Sequence, residues 1–286
     1  MNDDLWQFVT EEGTLFYFVR MQVANWLADS GKEWTEIFAR HNSGTYNNEY
    51  MIVDFNKLNG GGQKDILWVI DQLPGMTRSE DLTERLMGES YFPSYNTPVF
   101  PEIFEMGGSA EQVKKYGDWW SYDKNPRYTL LKQHHKSSMS KSFFQNLDSR
   151  ALIFKQEQSG IHNITDMQRV MRWNRFLLND TLTACDCSPL PFNGENAISG
   201  RSDLNPEGGQ YPFSALDHRN HGAIDMKILS KKLMRDGLQF RAISGPTDQD
   251  VPAFEWDKSG FNDNYFGLPN KWSFPAVTHK WSMDMP

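Results

Sequence analysis

The sequence lacks long apolar runs, a cysteine framework and blocks of positive charge. Its 286 residues include only two cysteines, so a small disulfide-framework protein is excluded, and the length allows a buried core without cross-links. The longest apolar run, residues 15–19, is far shorter than the roughly 20 residues that cross a bilayer, so we expect no transmembrane segment. A net charge of −8 without clustered lysine or arginine argues against nucleic acid as a partner, because phosphate binding requires clustered cations.

The beginning of the chain shows no secretory signal. Residues 1–6 are acidic and lack both the basic and the apolar region that such a signal needs. Two N-glycosylation sequons begin at Asn163 and Asn179, which is about the number that chance gives in a chain of this composition. Both asparagines are therefore candidate glycosylation sites, but they do not by themselves decide the compartment.

Cys185 and Cys187 are separated by a single residue. This spacing is compatible with a disulfide, a free dithiol or half of a metal site, and it is tighter than the C-x-x-C spacing typical of zinc. We interpret both cysteines as structural. His218 and His221 lie three residues apart with carboxylates nearby, but we favour surface histidines over a metal cluster in this loop.

Local patterns predict a mixed α and β chain that forms one domain over residues 1–286. Apolar residues recur at helical spacing in residues 19–27, and a second short helix is predicted over residues 34–38. Three pairs have capping-box spacing and each predicts a helix start: Thr77 with Glu80, Ser109 with Gln112, and Thr165 with Gln168. Asn125 followed by proline predicts a further helix start.

Strand patterns occur near both ends of the chain. Residues 50–55 and 66–70 are rich in β-formers and flank three glycines, which predicts a hairpin. Alternating residues in 224–228 and 240–242 predict two late strands. Residues 179–211 are dense in proline, glycine and asparagine, so we predict a long ordered loop there.

No complete catalytic apparatus is apparent from motifs alone. The chain has no G-x-S-x-G nucleophile elbow, and the glycines at 60–62 lack the spacing of a phosphate-binding loop. Neither cysteine has a neighbouring histidine or helix start that would lower the pKa of its thiol. The residues by themselves therefore indicate part of an enzyme or a binding domain.

Eight segments match the phospholipase B-like family in the same order. They are residues 40–50 (RHNSGTYNNEY), 72–76 (QLPGM), 94–98 (SYNTP), 116–119 (YGDW), 195–199 (ENAIS), 201–206 (RSDLNP), 222–227 (GAIDMK) and 244–247 (SGPT). The match covers about residues 15–281, nearly the whole chain. The sequence therefore resembles this family of lysosomal and secreted proteins.

The resemblance implies an α+β fold of the N-terminal nucleophile hydrolase type, in which two antiparallel sheets pack face to face in an αββα sandwich. Such proenzymes cut themselves and expose a cysteine whose thiol attacks a carbonyl while its own α-amine acts as base. Family members are about twice as long as this chain, with the nucleophile upstream. The resemblance thus implies that this chain is the C-terminal part and lacks the nucleophile segment. The family carries C-x-x-C where this sequence has Cys185 and Cys187, so its disulfide is not carried over directly.

Two catalytic residues are implied by the resemblance. Asn96 would donate its side-chain amide to the oxyanion, with Pro98 restraining the segment. Arg127 would order the surroundings of the nucleophile or contact the substrate. For residues 41–48 we favour a buried polar turn that leads into the next strand.

The function implied is hydrolysis of ester or amide bonds in lipid substrates, such as phospholipid deacylation, without metal or organic cofactor. The expected partners are a lipid or acyl-amide substrate and the N-terminal fragment that carries the cysteine. The sequence does not decide whether the protein forms a homodimer. The family resemblance implies a lysosomal or secreted glycoprotein. The alternative is a catalytically inactive, truncated paralogue that acts as a binding or structural protein.

Overall fold

A computed structural model of the chain describes residues 2–59, 64–94, 97–116, 149–212 and 214–279. The chain divides into two compact units, Met1–His135 and Lys136–Pro286, which are described separately. The single domain expected over residues 1–286 stays a prediction. Within the described ranges, no helix is long and apolar enough to cross a membrane.

The first unit combines five α-helices with one antiparallel sheet in its described part. The helices are α1 (Tyr17–Leu27), α2 (Gly31–Ala39), α3 (Thr83–Glu89), α4 (Pro101–Met106) and α5 (Ser109–Tyr116), and short 3-10 helices cover Asp3–Phe8 and Lys57–Asn59. The strands are β1 (Glu49–Val53), β2 (Leu67–Leu73) and β3 (Met76–Asp81), in the order β1-β2-β3. The predicted antiparallel pairing of β1 with β2 is confirmed, with Met51 opposite Val69, and the three glycines expected to form its turn lie outside the described residues.

The central strand β2 is covered on both faces, because its side chains alternate between two cores. Val69 belongs to a cluster with Phe100 and Ile103 of the α4 region. Ile70 points to the other face, where it joins a cluster with Phe38 of α2. Each such fully buried side chain contributes roughly 1.5–3 kcal/mol through burial, so β2 and its helices form the stable centre of this unit.

The first two helices confirm the predicted helical patterns, with one difference in the face that they bury. Ser30 caps α2 by accepting a hydrogen bond from the backbone N–H of Glu33 at 3.2 Å. In α1 the buried residues are Arg20 and Ala24, whereas Trp26 is 81% exposed. The spacing of apolar residues in α1 therefore predicts the helix correctly, but part of the apolar face of this helix lies on the surface of the unit.

The prediction of a helix start at Thr77 and Glu80 is wrong. Both residues lie in strand β3, where Thr77 stands opposite Gln72 of β2. Pro74 and Gly75 form the turn between these strands, and Gly75 adopts a left-handed φ of 75° that favours glycine. Pairing with β2 therefore overrides a local capping signal. The helix start expected at Asn125 lies outside the described residues.

The second unit has three described α-helices and five short strands. The helices are α6 (Ser149–Glu157), α7 (Ile164–Met171) and α8 (Lys231–Arg235); the strands are β4 (Asp225–Ile228), β5 (Phe240–Ser244), β6 (Phe254–Glu255), β7 (Lys271–Trp272) and β8 (Val277–His279). They form an antiparallel β4-β5-β8 sheet and a β6-β7 pair. Short 3-10 helices cover Gln158–Gly160, Phe176–Leu178, Thr181–Thr183, Ser202–Leu204, Ser214–Leu216 and Trp256–Lys258.

The β4–β5 pair confirms the two late strands predicted by alternation. Met226 and Ile228 are buried and pack with Ile243 against partly buried side chains of α7. The start of α7 was placed two residues late, since Asn163 rather than Thr165 provides the cap. An asparagine outside the capping-box pattern thus begins the helix by accepting two backbone N–H groups.

The long loop predicted over residues 179–211 is confirmed, since it contains only short 3-10 turns and isolated bridges. Buried asparagines give it order. Asn193 donates to Leu216 O at 2.8 Å, and Asn205 donates to the same carbonyl at 2.9 Å. Asn174 donates to Gly194 O at 3.0 Å. These side chains satisfy loop carbonyls that no strand partner satisfies.

Candidate functional site

The two residues expected to act in catalysis, Asn96 and Arg127, both lie outside the described residues. The structure does describe the chain on either side of Asn96, at Ser94 and at residues 97–100. The candidate site is therefore defined by the side chains of the first unit that hold these flanking residues.

The motif at residues 41–48 forms the polar turn that its composition predicted, but the turn is only partly buried, since Ser43 and Gly44 are buried and Tyr46 is 59% exposed. Asn42 donates to Leu73 O at 2.8 Å, while its side-chain oxygen accepts from Gly44 N at 2.9 Å. Asn47 donates to Gly44 O at 2.7 Å. These bonds fasten the turn to the end of β2, so its asparagines have a structural role.

Arg20 ties the polar turn to the sheet from inside the unit. It is only 2% exposed, and its guanidinium donates to Phe38 O and to the side-chain oxygen of Gln72. Gln72 in turn donates to Thr45 O at 3.1 Å and to Asn47 Oδ1 at 3.2 Å. A buried charge that is satisfied in this way orders α1, the turn and β2 together.

Glu49 and Asp71 form a carboxyl pair beside the segment that carries the predicted oxyanion donor. They stand opposite each other in the β1–β2 register. Asp71 is 2% exposed, and its Oδ2 accepts from Val99 N at 2.8 Å and from Phe100 N at 3.2 Å. Ser94 lies close enough to Glu49 to lower the pKa of its carboxyl. Asp71 therefore holds the chain that follows residues 95–96, and Glu49 lies beside the residue that precedes them.

Burial raises the pKa of both carboxyls. The pKa of Asp71 rises to about 6, because burial outweighs its two backbone hydrogen bonds. The pKa of Glu49 rises to about 7, mainly through burial and secondly through the charge of Asp71. Oε1 of Glu49 is buried and accepts no hydrogen bond from the described residues. At pH 5 the folded chain therefore holds both carboxyls mainly in their protonated form.

The free energy of unfolding is expected to fall by roughly 2–4 kcal/mol between pH 5 and pH 8 through these two groups. Their pKa values are higher in the folded chain than in the unfolded chain. Their stabilising contribution is thus complete below about pH 4 and is lost as the pH rises through about 6 to 7. Urea unfolding at both pH values measures the fall, and the double variant Glu49→Gln with Asp71→Asn should show much less of it.

The matched control is Glu80→Gln, which removes a glutamate whose side chain is 54% exposed on β3. This variant should keep the full fall between pH 5 and pH 8. Carboxyls with a lowered pKa, such as Asp248, lose their contribution only at lower pH and do not affect this window. An undiminished fall in the double variant would contradict the assignment to Glu49 and Asp71.

The patterns in the sequence did not single out the carboxyl pair. The available signal was a charged residue inside the otherwise largely apolar strand LWVIDQL, at Asp71. Strands that are covered on both faces read as nearly continuous apolar runs, so a carboxyl within one requires a partner. Only the strand register shows that Glu49 stands opposite Asp71 and that the backbone at 99–100 supplies the hydrogen bonds.

Cys185 and Cys187 are joined by a disulfide, with their Cα atoms 5.3 Å apart. This decides between the alternatives that their spacing left open. The sequence contains no other cysteine, so these 286 residues hold no free thiol. The disulfide agrees with a structural role for both cysteines, and neither can serve as a nucleophile in this state.

His218 and His221, which were considered as metal ligands, contact different parts of the protein. His218 Nδ1 is 2.7 Å from Asn205 O, and its ring stacks on Phe261. His221 Nδ1 lies 3.6 Å from a carboxylate oxygen of Glu195. In the described part of the chain, no group of three or more histidine, cysteine or carboxylate residues could hold a metal ion.

Arg201 joins three of the family-like segments in the second unit. It is 1% exposed and forms two bonds with Asp203, Nε to Oδ1 at 2.7 Å and Nη2 to Oδ2 at 2.6 Å. Its Nη1 donates to Thr247 O and Pro252 O. Ser202 then donates to Glu195 Oε2 at 2.8 Å. The motifs at 195–199, 201–206 and 244–247 therefore meet around one buried ion pair.

Both sequon asparagines, Asn163 and Asn179, are exposed. The side-chain oxygen of Asn163 accepts the N-cap hydrogen bonds of α7. Asn179 has a left-handed φ of 53° at the end of a 3-10 turn. The fold thus leaves the two candidate glycosylation sites accessible at the surface of the second unit.

Comparison with known proteins identifies the family to which this chain belongs. The family model described as Phospholipase B matches residues 1–141 and 133–279. The chain is 42% identical over 285 residues to "Putative phospholipase B-like 2" of Homo sapiens and 40% identical over 280 residues to "Putative phospholipase B-like 1" of Caenorhabditis elegans. These matches cover 98% and 95% of this chain and 44% of each relative.

A more distant relative, "Phospholipase B-like protein B" of Dictyostelium discoideum, is 33% identical over 280 residues, covering 96% of this chain and 42% of the relative. The chain thus spans less than half the length of the curated relatives it matches. Because the family model matches nearly the whole chain, the protein belongs to the phospholipase B family.

Proposed function

We propose that this protein is a phospholipase B-like hydrolase that cleaves ester or amide bonds of lipid substrates, with phospholipid deacylation as its reaction. Family membership supports the reaction class. The observation that carries the proposal is the anchoring of the chain next to Asn96. Asp71 accepts two backbone hydrogen bonds from residues 99 and 100, which is suited to a donor that must be fixed before reaction.

The mechanism uses a cysteine at the N-terminus of a chain segment that precedes these 286 residues. Its α-amine takes the thiol proton, and the sulfur forms a bond to the substrate carbonyl carbon. Asn96 donates to the resulting oxyanion, and Arg127 orders the nucleophile or the substrate. The tetrahedral intermediate then collapses, the bond from its carbon to the leaving oxygen or nitrogen breaks, and the leaving group takes the proton from the α-ammonium. Water attacks the resulting thioester, the C–S bond breaks, and the carboxylic acid and the free thiol are released. This chemistry needs no metal or organic cofactor.

The proposed fold is the αββα sandwich of N-terminal nucleophile hydrolases, of which this chain supplies most. The antiparallel sheets and the helices that pack on them support the α+β class. The missing segment needs a surface to cover, and the first unit offers one at α1. Phe16, Phe18 and Trp26 are all more than half exposed there. This apolar face supports the N-terminal fragment as a partner.

We propose a lysosomal or secreted location for the glycosylated protein. The exposed Asn163 and Asn179 support glycosylation, since an acceptor asparagine must be accessible. The raised pKa values of Glu49 and Asp71 support an acidic compartment, because the folded chain is most stable with both carboxyls protonated.

A catalytically inactive paralogue is the second candidate. The disulfide between Cys185 and Cys187 leaves the 286 residues without a thiol nucleophile, which agrees with this candidate as well as with the first. Such a protein would bind without turnover. The two candidates differ in whether a form that includes the preceding residues hydrolyses substrate.

The 286-residue chain on its own is expected to release no fatty acid from phospholipid vesicles and no product from an acyl amide. The reason is that both of its cysteines are joined in a disulfide. Product release is measured by mass spectrometry. A longer form that begins with the proposed cysteine is the positive control. Turnover by the 286-residue chain would contradict the proposal that its catalytic site is incomplete. If the longer form is also inactive, the result favours the catalytically inactive paralogue.

A further inference from the structure

A cavity of about 280 Å³ lies within the second unit. It is bounded by the β6–β7 pair, by the ends of β4 and β5, and by the loop that carries Arg201. Phe254 of β6 and Trp272 of β7 stand opposite each other in register, so pairing of these two strands fixes two aromatic walls. All of its lining residues belong to the second unit, whereas the candidate catalytic residues belong to the first.

The walls of this cavity are almost entirely apolar. They are formed by Ile224, Pro246, Phe254, Trp256, Leu268 and Trp272. Trp256 is held in place by stacking on Tyr265, with ring planes 3° apart and centroids 5.0 Å apart. Ile224 and Leu268 are 59% and 49% exposed. Large apolar side chains that stay exposed beside a cavity are typical of a ligand site.

The charged and amide side chains of the cavity are already engaged with protein groups, whereas the buried indole N–H groups of Trp256 and Trp272 have no hydrogen-bond partner among the described residues. Arg201 is paired with Asp203 and bonded to two carbonyls. Asn220 donates to Asp263. His221, with its side chain 57% exposed, lies 3.6 Å from Glu195. No uncompensated charge among these residues would attract an ionic group into the cavity, so an occupant gains mainly by burying apolar surface.

We propose that this cavity binds the unbranched hydrocarbon chain of an acyl group, with about eight carbon atoms buried. A water-sized volume is about 30 Å³, so the cavity holds roughly nine non-hydrogen atoms. The chain enters past Ile224 and Leu268, and its polar end stays in water near His221. The choice of an acyl chain as the occupant rests on the proposed lipid hydrolysis. The presence of an apolar cavity is observed independently of that proposal.

The test uses the complete 286-residue chain and the sodium salts of butanoate, hexanoate, octanoate, decanoate and dodecanoate below their micellar concentrations. Binding is followed by tryptophan fluorescence and calorimetry. Affinity should rise about fourfold for each added methylene up to octanoate or decanoate and then stay level, because the cavity is full. A continued rise through dodecanoate, or no binding at all, would overturn the proposal.

Leu268→Trp fills the cavity and should weaken octanoate binding by at least tenfold. Leu177→Trp is the matched control, since it introduces the same side chain at a 50% exposed leucine outside the cavity. Equal binding by both variants would overturn the assignment. The chain-length limit is measured on the unaltered protein, so it stands even if Leu268→Trp does not fold.

Two further outcomes separate the alternatives. If a longer form of the protein loses octanoate binding that the 286-residue chain shows, the natural occupant is a polypeptide segment, and the proposal is overturned. If the longer form binds octanoate but hydrolyses nothing, the acyl-chain site holds and the proposed hydrolysis fails. Binding is measured without turnover, so the two results are independent.

Discussion

If the proposed hydrolysis is correct, replacement of Asn96 by alanine is expected to lower kcat by roughly 10²–10³ with little change in KM. An oxyanion donor stabilises negative charge that develops only in the transition state, so its loss affects the chemical step more than substrate binding. The hydrogen bonds from Val99 and Phe100 to Asp71 do not involve the side chain of Asn96, so they hold the neighbouring backbone in the unaltered protein and in Asn96→Ala alike. The measurement is a steady-state rate on a longer form that begins with the proposed cysteine.

The matched control for Asn96 is Asn264→Ala, which removes the same amide from an exposed position of the second unit. Its kcat should equal that of the unaltered protein. Circular dichroism of both variants confirms that each is folded. An unchanged kcat in Asn96→Ala would return Asn96 to a turn role before Pro98 and would remove the main support for the oxyanion assignment.

Replacement of Arg201 by leucine is expected to destabilise the second unit by roughly 3–5 kcal/mol. The variant leaves Asp203, whose side chain is 11% exposed, without its cation. It also removes the donor to Thr247 O and Pro252 O. An unpaired buried carboxylate is far more costly than an absent ion pair, because nothing then compensates its desolvation. Urea unfolding measures the loss.

Two comparisons show whether burial is the cause. Lys232→Met breaks an ion pair with Asp236 on the surface, where Lys232 is 83% exposed, and should cost less than about 1 kcal/mol. The double variant Arg201→Met with Asp203→Leu removes both charges and should be more stable than Arg201→Leu alone. If Arg201→Leu costs no more than Lys232→Met, the three motifs do not depend on this pair.

Elements with strong local periodicity were predictable, and elements defined by pairing were less so. The α1 and α2 helices and the β1–β2 and β4–β5 strands follow from the spacing of apolar residues or from runs of β-forming residues. Strand β3 was mistaken for a helix start, since a capping box is a short local pattern that strand pairing can override. Apolar spacing predicts helix α1, but it does not show that Trp26 is exposed.

The family-like motifs show a similar division. The sequence located the polar turn at residues 41–48, since asparagine and threonine are suited to satisfying loop backbone groups. It did not show that Arg201 would gather motifs about 50 residues apart, because contacts at that separation depend on the path of the whole chain.

The sequence by itself determined the phospholipase B family, the α+β composition and the candidate positions Asn96 and Arg127, because these depend on residue identity and local order. Only the tertiary structure decided that Cys185 and Cys187 are bonded and that Glu49 stands opposite Asp71. It alone also placed apolar walls from distant segments around one cavity. Burial and strand register bring these groups together, and neither is encoded at any single position.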